Sequence, residues 1–186
     1  MIGFAITGSF CTIAASLTAL ERLTLNGRDI LPIMSENAYS TDTRFGTASD
    51  VRERLERIAG RGIVHTIRDA EPLGPKMPLE ALVIAPCTGN TLAKIASGIT
   101  DTAVTMAAKA HLRCDRPLVV ALASNDAMSQ NLQNIARLLT RRSVYFVPMR
   151  QDDPVGKPHS LVADMSLVPE ALAAALQEKQ LRPLFI

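Results

Sequence analysis

The sequence of 186 residues predicts an α/β protein, one domain built on a parallel sheet with helices wound on both faces. Three observations predict it. Short apolar runs such as residues 81–85 and 117–123 are continuous rather than alternating, as expected of strands covered on both faces. Segments with apolar residues at helical spacing separate these runs. Four runs end in polar turns: Thr7-Gly8-Ser9, Ser35-Glu36-Asn37, Thr88-Gly89-Asn90-Thr91 and Ser124-Asn125-Asp126. In a parallel sheet these turns gather along one edge, the carboxyl ends of the strands, where open α/β sheets bind ligands.

Residues 2–7 form the first expected strand. A helix over residues 12–26 follows, with Ile13, Leu17 and Leu20 inward and Asn26-Gly27 as its stop. Residues 29–34 form the second strand, and residues 39–48 are polar with turn character. Val51, Leu55 and Ile58 mark an amphipathic helix ending near Gly60. Residues 62–78, broken by Pro72, Pro75 and Pro78, read as a surface loop, a lid or an oligomer contact. Residues 81–85 form the third strand, which Pro86 is expected to stop because it has no N–H for the ladder. Leu92, Ile95, Ala96 and Ile99 give the next helix. Residues 102–112, apolar almost all round, give a buried one, covered either inside the chain or between subunits. Residues 117–123 form the fourth strand, and Leu132, Ile135 and Leu138 mark another helix. Residues 144–147 form the fifth strand and residues 151–158 a loop. Residues 166–181 form a closing helix with Pro169 in its first turn. No linker, repeat or low-complexity segment divides the chain.

Composition removes several classes of function. Lys and Arg number 20 against 18 Asp and Glu, a net charge of +2, so no basic field exists to drive nucleic-acid binding. Trp is absent and aromatic residues make up 4%, which leaves no stacking platform for bases. No apolar run reaches membrane-spanning length, and the first residues read as a strand rather than a signal peptide, so the expected location is cytoplasmic. Cys11, Cys87 and Cys114 are odd in number and far apart, which fits reduced thiols rather than a disulfide framework. Cys87 sits in a candidate site turn, and its role stays open. His65, His111 and His159 are scattered, so no metal site is expected. The chain has no Gly-x-Ser-x-Gly, and its first turn, Gly8-Ser-Phe-Cys-Thr-Ile13, lacks the dinucleotide glycines. Without them, Glu36 is a poor stand-in for the ribose-binding acid.

The stretch from Ala81 to Asp101 carries most of the information. A buried strand ends in a polar turn whose backbone N–H groups open a helix, and such a helix start offers free donors and a positive dipole end to an anion. Hydroxyls at Thr7, Ser9, Ser35, Thr88 and Thr91 suit a single phosphate, a mononucleotide pattern. Ordinary turn and cap chemistry is the alternative. Lys94, one turn into the helix, either reaches an anion or is a surface charge.

Residues 85–101, Ala-Pro-Cys-Thr-Gly-Asn-Thr-Leu-Ala-Lys-Ile-Ala-Ser-Gly-Ile-Thr-Asp, resemble the Pro-Ala-Ser-Ala-Asn-Thr segment, with trailing Lys, Gly and Asp, of the flavin-containing cysteine decarboxylase-like flavoproteins. Ile6-Thr-Gly-Ser9 is similar to that family's first phosphate turn, and Ser35 falls where another phosphate-binding hydroxyl is expected. Within the family, Ser40-Thr-Asp-Thr-Arg-Phe-Gly46, Ala70-Glu-Pro-Leu-Gly-Pro-Lys76, Asn125-Asp-Ala127 and Gln151-Asp-Asp-Pro154 resemble the branch that makes dipicolinate in spore-forming bacteria.

The resemblance implies a flavodoxin-like, Rossmann-like three-layer α/β/α fold. It implies FMN at the carboxyl edge, held by Thr7, Gly8, Ser9, Ser35, Pro86, Thr88, Gly89, Thr91 and Asn125. It implies homo-oligomers, trimers or multiples of them. The implied reaction is oxidation of a hydroxylated tetrahydrodipicolinate in the mother cell, with NAD(P) on a dehydrogenase-like A subunit as partner. Asn90, Lys94 and Arg44 are the residues expected to recognise the small dicarboxylate substrate, through charge-assisted hydrogen bonds. Two departures stand out. No histidine follows Ser35, where the decarboxylases carry a catalytic one, and Ser124-Asn-Asp126 replaces their Pro-Met-Asn. A non-catalytic scaffold that kept the fold, or an autonomous flavin-dependent decarboxylase or prenyltransferase, are the alternative readings.

Overall fold

The computed structural model describes residues 1–186. In chain order the elements are β1 (Ile2–Ile6), α1 (Phe10–Leu25), β2 (Ile30–Met34), α2 (Glu36–Ser40), α3 (Ala48–Ala59), α4 (Ile67–Ala70), β3 (Ala81–Cys87) and α5 (Gly89–Ser97). They continue with α6 (Ala103–Leu112), β4 (Leu118–Ser124), α7 (Leu132–Leu139), β5 (Val144–Phe146), β6 (Met149–Arg150), β7 (Leu161–Ala163), a 3-10 turn (Met165–Leu167) and α8 (Val168–Ala175). The first five strands run parallel in the order β2-β1-β3-β4-β5. Every residue of β1, β2, β3 and β4 is buried, which is why their sequences are unbroken apolar runs. One hydrophobic cluster takes in all of these strands and the inner faces of the helices, so the chain has a single core.

The chain reverses direction across the sheet between β1 and β3, because α1 leads outward to β2 while the later crossovers lead the other way. That reversal opens a crevice at the carboxyl ends of β1 and β3. Pro32 is tolerated in β2 because β2 is an edge strand; its outer side is covered by Val64, whose N–H donates to the Pro32 carbonyl at 3.0 Å. At the other edge, the Gln180 side chain accepts from Phe146 N–H at 2.8 Å and donates to the Phe146 carbonyl at 2.6 Å. It closes the exposed rim of β5 as a neighbouring strand would.

The structure departs from the sequence expectations at five points. Pro86 does not end β3, which runs to Cys87. The ladder to β4 shifts register between Ile84 and Cys87, so the missing N–H is absorbed by an irregularity. Residues 62–78 are not a plain surface loop: Ala70 and Leu73 are fully buried, and α4 packs on α6. Ile99 lies beyond α5 and is exposed. The closing helix stops at Ala175 rather than 181. Finally, β6 and β7 form an antiparallel hairpin joined to the end of β4 at Ala123 and Ser124, where only a loop was expected. Helix α6 is buried, as its composition required, and it is covered inside the chain.

Candidate functional site

The four polar turns meet along the carboxyl edge, and Thr7 ties two of them together. Its side chain is buried; its hydroxyl donates to the Pro86 carbonyl at 2.8 Å and accepts from Thr88 N–H at 2.9 Å. Thr7 and Pro86 therefore brace the ends of β1 and β3 from below, and their polar groups are spent on each other.

Above that brace lies an open cavity of about 730 Å³, lined by Gly8, Ser9, Thr88, Gly89, Asn90 and Asn125 among the expected residues. A neighbouring cavity of about 410 Å³ shares Gly8, Thr88 and Asn90 and extends to Ser35, Thr91 and Lys94. Both sizes lie in the range of small-molecule sites. Of the expected residues Thr7, Pro86 and Arg44 line neither cavity; Thr7 and Pro86 lie beneath the larger, and Arg44 lies on an exposed turn with its guanidinium 4.9 Å from the Phe45 ring. Its neighbour Phe45 lines the larger one instead, because the turn between Thr43 and Gly46 points the arginine outward.

Helix starts supply the cavity's donors. Ser35, Thr88 and Thr102 cap α2, α5 and α6 by accepting from the N–H groups of Ala38, Thr91 and Thr105. Ser9 makes no such side-chain cap on α1: Thr12 N–H donates to the Ser9 carbonyl at 3.0 Å and Ser9 N–H to the Thr7 carbonyl at 2.8 Å, so only the first two N–H groups of that helix, from Phe10 and Cys11, are left to offer. Glu36 is used structurally: its carboxylate accepts from Ala103 N–H at 3.1 Å and helps to start α6.

The charges are mostly paired. Lys94 holds Asp101 at 2.8 Å, and this ammonium keeps the Asp101 carboxyl below its usual range. Lys157 holds Asp152 at 2.8 Å, which lowers Asp152 and raises Lys157. Asp126 is different. It is held below the usual carboxylate range chiefly by the Ser124 hydroxyl and then by Asn131, with no cation in contact. Gly89 makes room for this group: a Cβ there would lie 2.3 Å from Ser124 Oγ, 2.6 Å from Asn131 Nδ2 and 2.8 Å from Asp126 Oδ1. Cys87 is fully buried at the end of β3, and burial pushes its thiol far up, so it is inert.

Sequence reasoning did not pick out Phe10, Phe45, Asp152, Lys157 or Ser160 as lining residues. The signal for the last three was the β6–β7 hairpin, which carries residues 151–160 back over the edge. Phe10, Cys11 and Phe45 also open onto an apolar cleft of about 300 Å³ between α1 and α3.

The chain and its fold are shared with known proteins. The family model described as Flavoprotein matches residues 1–169. The sequence is 43% identical over 185 residues to the B subunit of dipicolinate synthase from Bacillus subtilis (strain 168), covering 100% of this chain and 92% of that protein. The crystal structure of the dipicolinate synthase B subunit from Bacillus halodurans C matches with a TM-score of 0.91 at 43% identity, covering 100% of this chain and 95% of that one. A dodecameric FMN-dependent UbiX-like decarboxylase from Escherichia coli O157:H7 matches with a TM-score of 0.63 at 22% identity, over 80% of each chain. At that identity the likeness is one of fold.

Proposed function

The chain belongs to the flavoprotein family, and from that premise we propose that it is the FMN-binding B subunit of a dipicolinate synthase. In this reading it works with the A subunit of dipicolinate synthase in the NAD(P)-dependent oxidation of hydroxy-tetrahydrodipicolinate to dipicolinate during sporulation. The single observation that carries the reading is the end-to-end match, in sequence and in structure, to the B subunits of dipicolinate synthases. The site fits a phosphorylated flavin in kind. Uncapped donors at the start of α1 and hydroxyls at Ser9, Ser35, Thr88 and Thr91 surround the crevice, and the cavities have room for a mononucleotide. Bound there, FMN would supply two-electron redox chemistry.

The chain's own residues would divide the remaining work. Ser9, Ser35 and Thr91, with the backbone of Gly8 and Gly89, would hold the phosphate. Asn90, exposed at the first turn of α5, would offer its amide to a substrate carboxylate. Lys94 would add a second donor, since the bond to Asp101 uses one of its three ammonium hydrogens. Thr7 and Pro86 would keep the two strand ends in register beneath the ligand.

A second reading, a scaffold without a catalytic share, has one observation in its favour. The position after Ser35 carries Glu36, whose carboxylate accepts from Ala103 N–H at the start of α6, and no histidine follows it. The visible spectrum of freshly purified protein separates the two. The flavin reading expects a yellow protein or stoichiometric FMN uptake, and adding the chain to the A subunit should raise dipicolinate formation. A colourless protein that takes up no FMN, beside an A subunit that is fully active alone, would overturn the proposal. Decarboxylase or prenyltransferase turnover by the chain alone would point to an autonomous flavoenzyme.

A further inference from the structure

The larger cavity contains one charge that nothing in the chain neutralises. Asp126 lines it between Asn125 and the start of α5. The other acidic group there, Asp152, is paired with Lys157 at 2.8 Å, whereas Asp126 takes part in none of the nine ion pairs.

The surroundings of Asp126 select a carboxylate rather than an amide. Asn134 Nδ2 donates to Asn131 Oδ1 at 2.9 Å, which turns the Asn131 amide so that its Nδ2 faces Asp126. That Nδ2 donates to both carboxylate oxygens, each at 2.9 Å. Ser124 Oγ donates to Oδ1 as well. Three hydrogen bonds thus converge on one acceptor-only group. An amide at position 126 would set its own N–H against one of these donors. Asn131 is 5% exposed, and Gly89 leaves no side chain between the network and α5. The carboxylate itself remains partly exposed toward the cavity, with lone pairs to spare.

A fixed, unpaired carboxylate does two things to a ligand. It attracts N–H and O–H donors through charge-assisted bonds, and it repels anionic groups. The adjoining cavity offers an anion the hydroxyls of Ser35 and Thr91 and the Lys94 ammonium, but it also carries the carboxylates of Glu36 and Asp101, the latter paired with Lys94. We propose that Asp126 is a specificity-determining residue, which receives the N–H or O–H donor of the bound ligand and disfavours anionic groups beside it. The inference rests on the reading of this crevice as the ligand site. The donor comes either from the hydroxyl chain of a flavin or from the ring amine of a cyclic amino acid substrate; both offer the same chemistry to the carboxylate.

The test uses the full chain and three probes, measured by calorimetry: inorganic phosphate, riboflavin and pipecolic acid. Asp126→Asn should weaken riboflavin or pipecolic acid about tenfold, the effect of losing one charged hydrogen-bond acceptor, and should tighten phosphate. Whichever of the two donors loses affinity identifies the source. Ser124→Ala, which keeps the charge, should retain the wild-type order of affinities. A purely structural role predicts that all three affinities fall together with the unfolding temperature in both variants, and that result overturns the inference. So does an unchanged ratio of donor to phosphate affinity, or a wild-type chain that binds none of the probes. FMN uptake by the wild type is scored separately. A chain without FMN uptake that shows the switch sinks the flavin reading alone, and one with FMN uptake but no switch sinks this inference alone.

Discussion

Two helices start at the same rim, α5 two residues past the end of β3 and α1 four past the end of β1, and they treat their first turns differently. At α5, Thr88 accepts from Thr91 N–H at 3.1 Å and donates to Thr91 Oγ1 at 3.0 Å, while Thr88's own N–H is taken by Thr7 at 2.9 Å. Behind that turn stands the Ser124, Asp126 and Asn131 network, pressed against Gly89. At α1, Ser9 has an equivalent hydroxyl but makes no cap, and its Oγ only accepts from Thr12 Oγ1 at 3.1 Å. The difference shows that a helix start at a strand end is not by itself a ligand site. At the backbone the two turns are equally committed, since Ser9 N–H donates to the Thr7 carbonyl at 2.8 Å and Thr12 N–H to the Ser9 carbonyl at 3.0 Å; α1 closes its first turn on a carbonyl where α5 uses the Thr88 hydroxyl.

Substitutions can break or sharpen this contrast. The largest effect is expected at Gly89. An added methyl meets three polar atoms of a packed network at 2.3–2.8 Å, so Gly89→Ala should cost about 1–3 kcal/mol, as overpacking does. Thermal unfolding should fall by at least about 2 °C, and any ligand affinity at the crevice should fall with it. An unchanged melting temperature would mean that the network gives way freely. Next comes the cap. Thr88→Ala removes a bond to a helix-start N–H and should cost about 1 kcal/mol. A smaller effect should follow from acid. The folded Asp126 has its pKa lowered from 3.8, so its stabilisation is full above the ordinary carboxylate value and is lost as pH falls through the lower folded value. The gap in melting temperature between wild type and Asp126→Asn should therefore narrow as pH drops below about 4. A gap that stays constant would show that the charge contributes nothing.

These contrasts also mark how far the sequence could be read. Strands buried on both faces announce themselves, because nothing polar can be placed in them, and the turns at their ends were legible for the complementary reason. The hairpin was not legible: Met149–Arg150 and Leu161–Ala163 are too short to show a period, and they pair only because β4 extends beyond β5. In residues 62–78 the prolines announced a break in regular structure. They could not show that Leu73 is buried beneath it, since burial there is decided by where α6 packs. Lys94 was read as either free for an anion or a surface charge. Its partner Asp101 is seven residues on, and Gly98, in the left-handed region at φ 74°, turns the chain so that the two meet. Arg44 and Phe45 are adjacent in sequence, and only the fold of their turn decides which faces the crevice.

The smallest expected effect is the most pointed one for the contrast between the helix starts. Ser9→Ala removes a hydroxyl from an N-cap position, which on residue type alone should cost as much as Thr88→Ala. The geometry of α1 argues otherwise. Ser9 Oγ accepts no backbone N–H, so no cap is lost. Thr12 Oγ1, its one partner, lies 2.9 Å from the Ser9 carbonyl and 3.1 Å from Ser9 Oγ, and its single hydrogen can stay with the carbonyl when the hydroxyl is gone. Nothing is left orphaned, so the melting temperature should change by no more than about 1 °C, the size of an ordinary surface substitution. A drop matching that of Thr88→Ala would show that Ser9 caps α1 in solution, and the two helix starts would then be alike.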